Sequence, residues 1–353
     1  MSSMADFLPW QRELASAWLA ETERFAHAWL IHGLPGIGKR SFALAAARAL
    51  LCEQKRGGTA CGECQACRWM AAGNHPDFRR VRPDAVAQAE GEINEETAAS
   101  AKSSPSKEIR IEQVRNLAGW FGTATHRGGW RVAVIYPAHA MNLYTANALL
   151  KVLEEPPSNT VFLLTADAPD RLLPTIVSRC RRLPLAIPSE ETAVHWLADL
   201  GVETPHAWLA AAGGAPLRAL QSAKEGGAPC PNWLQDFLRG LSAGPGLADR
   251  TMLSTADALS GMEPAIWLDA LQKAFFDLSL VQVAAAPRYY PSQQPVLQRI
   301  VAHTAPGTLN ELFGWLSEQR AIAGHPLSAG LFVHSVLQRC VQACAQETPS
   351  ARS

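Results

Sequence analysis

The chain has 353 residues, of which 48% are hydrophobic and 18% are charged, a composition typical of a globular protein with a sizeable core. Its 32 Lys and Arg residues balance 32 Asp and Glu residues, and this zero net charge argues against gripping nucleic acid as the main task and favours protein partners. Since we find neither a signal-peptide pattern nor a membrane-spanning apolar run, we expect a cytoplasmic protein with reduced cysteines.

Short β-rich runs alternate with helical patterns as far as residue 186. The runs predicted to be strands are residues 28–33, 77–82, 131–136, 160–166 and 181–186, and helical stretches at 40–51 and 109–121 lie between them. Buried strands that alternate with helices predict an α/β domain with a parallel sheet. Residues 84–108 interrupt this pattern because they are rich in Ala, Ser and Glu and lack aromatics, so we expect a mobile insertion.

Strand signals fade after residue 186, and helical patterns take over. Residues 189–200 and 205–223 are predicted helices, and a Gly- and Pro-rich connector at 224–232 precedes a final helical block. In that block two apolar faces are formed by Leu268, Leu271, Phe275 and Leu278 and by Val333, Val336, Leu337, Cys340 and Cys344. Such faces indicate helix packing rather than a cofactor site.

The stretch GLPGIGKRS, residues 33–41, has the spacing of a phosphate-binding loop. Its glycines and lysine follow a predicted strand and open a predicted helix, where backbone N–H groups surround a phosphate; these residues are Gly33, Gly36, Gly38 and Lys39. The loop departs from the pattern at Arg40, because a serine or threonine normally stands there as a ligand of Mg²⁺.

The end of the third predicted strand also lacks residues that ATP hydrolysis needs. An ATPase of this class carries an acidic pair there, one residue for Mg²⁺ and one for the attacking water, whereas this chain has Tyr136 and Pro137. Neither side chain offers a carboxylate to a hard cation. We therefore expect no self-sufficient ATP hydrolysis, and the residues leave open whether the loop binds ATP or ADP.

Four cysteines form a cluster early in the chain: Cys52, Cys61, Cys64 and Cys67. Four thiolates are the usual ligands of a structural, tetrahedral zinc ion, so the cluster predicts a zinc module over residues 52–67. A redox role for the C-x-x-C pairs is one alternative. A zinc finger that reads nucleic acid is another, although the basic surface around it is thin.

Several strings together resemble the clamp-loader AAA+ family of bacterial DNA polymerase III. They are HAWLIHG at 27–33, the cysteine run, GNHPD at 73–77, ANALLKVLEEPP at 146–157 and LLPTIVSRC at 172–180. The motifs that carry the resemblance all lie within residues 25–185. Beyond residue 185 the chain resembles the family only in its length and its helical character. The departures at Arg40, Tyr136 and Pro137 fit the family's non-hydrolysing subunit rather than its motor subunits.

The resemblance implies a RecA-like AAA+ domain with the zinc module over residues 1–186, a small helical lid over 187–225 and an all-α collar, which assembles the ring, over 226–353. It further implies that Arg179, in the Ser-Arg-Cys string, is an arginine finger for the ATP site of a neighbouring motor subunit. Thr165 and Arg218 match the positions of the family's two nucleotide sensors, and both can be vestigial in a degenerate site.

The partners that the resemblance implies are the gamma or tau motor subunits and the delta subunit. Through the complex they include the sliding clamp and primer-template DNA, with no membrane. The chain would be no enzyme by itself but a component of a DNA-directed DNA polymerase holoenzyme.

Three other interpretations remain open at this point. An active motor ATPase needs a hydroxyl after Lys39 and an acidic pair near Tyr136. A stand-alone, zinc-dependent nucleic-acid-binding protein needs a basic surface. Arg179, close to Arg181 and Arg182, can also be a plain surface cation.

Overall fold

The computed structural model describes residues 6–20, 25–91, 104–121, 125–126, 128–305, 307–323 and 329–345. The chain divides into two compact units, Met1–Thr192 and Ala193–Ser353. No helix within the described ranges is long and apolar enough to span a membrane.

A five-stranded parallel sheet forms the centre of the first unit. Its strands are β1 (Ala28–His32), β2 (Phe78–Val81), β3 (Arg131–Ile135), β4 (Thr160–Ala166) and β5 (Arg181–Pro184). Their order across the sheet is β2-β3-β4-β1-β5, and every neighbouring pair is parallel. β3 and β4 are buried along their whole length, as expected for mostly apolar strands with both faces covered. The five predicted strands and the predicted α/β fold with a parallel sheet are confirmed.

Helices cover both faces of this sheet. They are α1 (Arg12–Ala20), α2 (Lys39–Leu51), α3 (Gln65–Ala71), α4 (Asp84–Ala89), α5 (Ile111–Phe121), α6 (Leu143–Glu154) and α7 (Pro174–Arg179). Successive strand residues point to opposite faces, so Trp29 and Ile31 join the core under α1 and α2, and Ala28 and Leu30 join the core under α5, α6 and α7. Each face therefore has its own hydrophobic core.

The two outer strands of the described sheet are short and basic. β2 and β5 are four residues long, and each contains a pair of adjacent arginines: Arg79 and Arg80 in β2, and Arg181 and Arg182 in β5. The guanidinium of Arg181 lies 5.2 Å from the ring centroid of Trp29 on the neighbouring strand β1. The core of the sheet thus lies between two positively charged edges.

The segment predicted to be a mobile insertion is more ordered at its start than expected. Residues 84–89 form α4, and the ion pair between Asp84 and Arg110 joins this helix to the start of α5. The backbone N–H of Ala85 donates to the carbonyl oxygen of Ser106 at 3.0 Å, so both flanks of the segment are connected. Residues 92–103 lie outside the described residues, and their predicted mobility stays a prediction.

The rest of the chain is helical. Its helices are α8 (Glu190–Asp199), α9 (Pro205–Ala211), α10 (Pro216–Glu225), α11 (Asn232–Ser242), α12 (Pro245–Leu259), α13 (Pro264–Gln282), α14 (Gln294–Ala302), α15 (Thr308–Ile322) and α16 (Ala329–Cys344). The helices α8, α9 and α10 share one small hydrophobic cluster, and the helices from α11 onward share a larger one. Both predicted apolar faces are buried in the larger cluster, which confirms their role in packing. The predicted domain boundaries stay a prediction.

Candidate functional site

The phosphate loop connects β1 to α2, as its sequence predicts. Gly36 and Gly38 have φ angles of +82° and +93°, a left-handed backbone that favours glycine. A side chain at Gly33 is excluded for another reason, because its Cβ would lie 2.5 Å from the carbonyl oxygen of Leu185, just after β5. The loop therefore has the backbone of a phosphate cradle, with glycine where geometry requires it.

The lysine of the loop is already occupied by the chain's own groups. Lys39 is buried, and its Nζ donates to the carbonyl oxygens of Gly33 at 2.8 Å and Leu34 at 2.5 Å. It also forms an ion pair of 2.7 Å with Asp167, which directly follows β4. The predicted sensor Thr165 lies buried inside β4. Asp167 was not predicted from the sequence, although an acidic residue directly after a strand next to β1 is a usable signal.

Residues ahead of α1 hold the loop from its other side. The Nε2 atom of Gln11 donates to the carbonyl oxygens of Ile37 at 3.2 Å and Gly38 at 3.0 Å. The indole Nε1 of Trp10 donates to the carbonyl of Ile37 at 3.0 Å. These contacts fix the backbone just before Lys39, and no pattern in the sequence indicates them.

The residues that replace the metal-binding groups meet at one carboxylate. Glu90, directly after α4, forms an ion pair of 2.9 Å with Arg40 and one of 3.0 Å with the buried Arg82. The hydroxyl of Tyr136 donates to Glu90 at 2.9 Å. Burial raises the pKa of Tyr136 well above its usual value, so this phenol stays protonated and remains a donor. Glu90 was also missed, because only the fold brings it here.

Arg179, the predicted arginine finger, lies at the end of the sheet where the strands begin, opposite the end that carries the phosphate loop. It ends α7 just before β5, and β5 runs parallel to β1 with Arg181 beside Trp29. The phosphate loop begins at Gly33, four residues after Trp29, so it lies about 13 Å further along the strands than Arg181. The Arg179 side chain is 35% exposed, and it pairs with Glu154 at 2.5 Å. Its Nη1 also donates to the carbonyl oxygen of Thr175 at 3.1 Å.

Arg218, the second predicted sensor, lies in α10 and faces an acidic partner of the C-terminal unit. Its guanidinium is 3.7 Å from Asp269 in α13. The same carboxylate pairs with Lys273, four residues further along α13, at 2.8 Å and with Arg320 at 3.0 Å. Three cations therefore share one partly buried carboxylate.

The four predicted metal ligands are brought together. Their sulfur atoms all lie within 4.8 Å of one another, with Cys52 and Cys64 at 3.9 Å and Cys61 and Cys67 at 4.0 Å. Four sulfurs around a tetrahedral zinc ion at 2.3 Å stand about 3.8 Å apart, so the cluster fits such an ion. Backbone N–H groups of Cys64 and residue 63 lower the pKa of Cys61 to about 6, whereas burial raises the pKa of Cys52 and of Cys67. The fit to a metal ion therefore rests on the positions of the sulfur atoms.

Comparison with known proteins decides the family. The family described as DNA polymerase III, delta subunit, matches residues 12–189, which is half of the chain. The chain belongs to this family. The delta-prime subunit of Pseudomonas aeruginosa is 42% identical over 220 residues, which cover 61% of this chain and 61% of the relative. The delta-prime subunit of Escherichia coli (strain K12) is 36% identical over 205 residues, covering 58% of this chain and 56% of the relative.

The tau subunit of DNA polymerase III from Escherichia coli (strain K12) is more distant. It is 33% identical over 174 residues, which cover 49% of this chain and 24% of that subunit. The matched regions span about three fifths or less of these relatives' lengths. The resemblance to the clamp-loader family of DNA polymerase III, noted from the sequence, is confirmed, and the two more similar of these relatives are delta-prime subunits.

Proposed function

We propose that the chain is a non-hydrolysing subunit of a DNA polymerase III clamp loader and supplies Arg179 to the ATP site of a neighbouring motor subunit. The position of Arg179 carries this proposal. Arg179 lies where the strands of the sheet begin, whereas the phosphate loop of the same chain lies where β1 ends. Its guanidinium therefore serves a second molecule rather than its own loop. A guanidinium supplied in this way stabilises charge on the transferring phosphoryl group.

The chain's own loop lacks what hydrolysis requires. Arg40 cannot ligate a metal ion, and Tyr136 and Pro137 supply neither a metal ligand nor a base for water. Of the two carboxylates described at this site, Asp167 pairs with Lys39, and Glu90 is held by two arginines. The residues present do not fit a Mg²⁺-bound nucleotide, which disfavours the alternative of an active motor.

The proposed partners are the gamma or tau motor subunits and the delta subunit, in a complex that loads the sliding clamp onto primed DNA in the cytoplasm. The chain would thus belong to the polymerase holoenzyme and be no enzyme by itself. We assign zinc to the cysteine cluster as a structural ion, since four cysteines leave no open coordination position for catalysis. The zero net charge disfavours a stand-alone nucleic-acid-binding protein.

The test is ATP turnover of the chain alone and of the chain reconstituted with motor subunits, delta, clamp and primed DNA. We expect no turnover by the chain alone and stimulation in the complex. Arg179→Ala should lower turnover about 10³-fold at the affected site, with a smaller loss for the whole complex. Arg182→Ala removes a nearby exposed positive charge and should leave the rate unchanged.

Two results would refute the proposal. One is magnesium-dependent turnover by the chain alone. The other is normal ATP turnover and clamp loading by an assembled complex that contains Arg179→Ala. Size-exclusion chromatography of each complex separates a loss of rate from a loss of assembly.

A further inference from the structure

The carboxylate of Glu90 lies between the two positions that normally hold a metal ion. Arg40 stands where the hydroxyl ligand belongs, in the first turn of α2, and Tyr136 stands at the end of β3, where the acidic pair belongs. Glu90 joins them, with one oxygen 2.9 Å from Arg40 and the other 2.9 Å from the Tyr136 hydroxyl. Its side chain is only 12% exposed. A negative group of the chain itself therefore fills this space.

The positively charged side chains around Glu90 need a negative partner. Arg82 is buried, and a buried guanidinium is costly unless a negative partner is close. Arg82 contacts the same Glu90 oxygen that Tyr136 does, at 3.0 Å, and its guanidinium lies 5.9 Å from the Tyr136 ring centroid. Arg40 and Arg82 bring two like charges, and Tyr136 brings a hydroxyl donor, to one carboxylate. Guanidinium and hydroxyl donors are also the groups that bind phosphate.

The segment that presents Glu90 is anchored rather than loosely placed. Helix α4 is joined at its first residue to Arg110 and at Ala85 to Ser106, and Glu90 follows its last turn. The backbone N–H of Glu90 donates to the carbonyl of Val86 at 3.0 Å, which continues the helical turn. The Glu90 carboxylate is thus held in position by the short helix α4, which is itself fixed at its first turn.

We propose that Arg40, Arg82 and Tyr136 form an anion site whose ligand is the chain's own Glu90 carboxylate, and that this carboxylate keeps the phosphates of a nucleotide out of the loop. The ligand class that it excludes is a nucleoside triphosphate. The inference shares with the proposed function the interpretation of the loop as degenerate, but it does not depend on Arg179. It explains why a loop with intact glycines and lysine would stay empty.

The test measures binding of ATP to the full-length chain by calorimetric titration, with Mg²⁺ and with a chelator. Glu90→Gln keeps the shape and removes the negative charge. It should raise the affinity for ATP about tenfold or more over the wild type. The gain should be equal with and without Mg²⁺, since Arg40 and Tyr136 offer the metal no carboxylate or hydroxyl ligand of the usual kind. Glu108→Gln is the control, because it removes the same negative charge from a carboxylate that accepts a hydrogen bond from Asn142, at 3.0 Å, instead of contacting the loop.

A second variant covers the case in which Glu90→Gln does not fold. Glu90→Asp keeps the charge but withdraws it by one methylene, and it should give a smaller gain. Adding Lys39→Ala to either variant should abolish the gain, because binding then lacks the loop lysine. Folded Glu90→Gln and Glu90→Asp chains that bind ATP no better than the wild type would overturn the inference, and so would tight ATP binding by the wild type. A failure here leaves the Arg179 test of the proposed function unaffected.

Discussion

Gly240 in α11 packs directly against Thr251 in α12, and Gly240→Ala is a direct test of that packing. Gly240 is buried. A Cβ added there would lie 1.9 Å from Oγ1, 2.8 Å from Cβ and 2.9 Å from Cγ2 of Thr251 in α12. Turning the Thr251 side chain would move the hydroxyl and the methyl group but not its Cβ, so the two helices would have to separate.

The expected cost follows from two opposing effects. Overpacking that forces the backbone to shift costs about 1–3 kcal/mol. Alanine in place of glycine inside a helix returns about 1 kcal/mol at most. Because an added Cβ would lie only 1.9 Å from Thr251, the overpacking cost falls in the upper part of its range, and we expect Gly240→Ala to lower the free energy of unfolding by about 1–2 kcal/mol. Gly314→Ala is the matched control, because Gly314 is an exposed residue within α15 with no atom within 4 Å of an added Cβ. That variant should gain about 0.5–1 kcal/mol.

Urea unfolding of the full-length chain, followed by far-ultraviolet circular dichroism, measures both variants against the wild type. The two identical chemical changes should move the unfolding midpoint in opposite directions. A Gly240→Ala chain that unfolds at the same or a higher urea concentration than the wild type would show that the two helices do not approach as closely as the structure describes.

Two further predictions concern the cysteine cluster and the charge cluster of α13. The purified chain should contain about one zinc ion by atomic emission, and Cys67→Ser should lose it while Cys230→Ser, whose thiol lies in the C-terminal core, keeps it; equal zinc in both variants would contradict the site. Desolvation raises the pKa of Asp269, but Lys273 and two arginines outweigh it and the net shift is downward from 3.8. The folded pKa therefore lies below the unfolded one, so Asp269 stabilises the fold fully above about pH 4, and this contribution is lost as the pH falls through the folded pKa. Asp269→Asn should cost about 1–3 kcal/mol of unfolding free energy at pH 7 and less below pH 3.8; Asp236→Asn, at an exposed pair, should cost less than about 1 kcal/mol, and a pH-independent cost for Asp269→Asn would refute the assignment.

The sheet and the phosphate loop could be predicted because their signals are local. Apolar runs of strand length define the five strands, and the glycine spacing defines the loop between β1 and α2. The Cys52 cluster belongs to the same class, since three of its four sulfurs lie within seven residues of sequence. In each case residues that are close in the sequence determine the local structure.

The contacts that decide the state of the loop could not be predicted in this way. Glu90 reaches Arg40 and Tyr136 across 50 and 46 residues of sequence, from a segment whose composition suggested mobility. The pairing of Arg179 with Glu154 likewise joins two helices that are 25 residues apart. A carboxylate has no sequence periodicity that reveals its partner, so only the packed fold brings these charges together.

The arginine pairs on the outer strands have a consequence for how this chain meets others. A sheet edge offers unpaired N–H and C=O groups, onto which a strand of another molecule can be added. Short strands that carry adjacent positive charges resist such addition, because a second copy would bring like charges together. β2 and β5 are protected in this way, and β5 ends in Pro184, which has no N–H to donate. Intermolecular contacts of the first unit should therefore involve helices and loops, and replacing Arg181 and Arg182 by valine should make the chain prone to aggregate through β5.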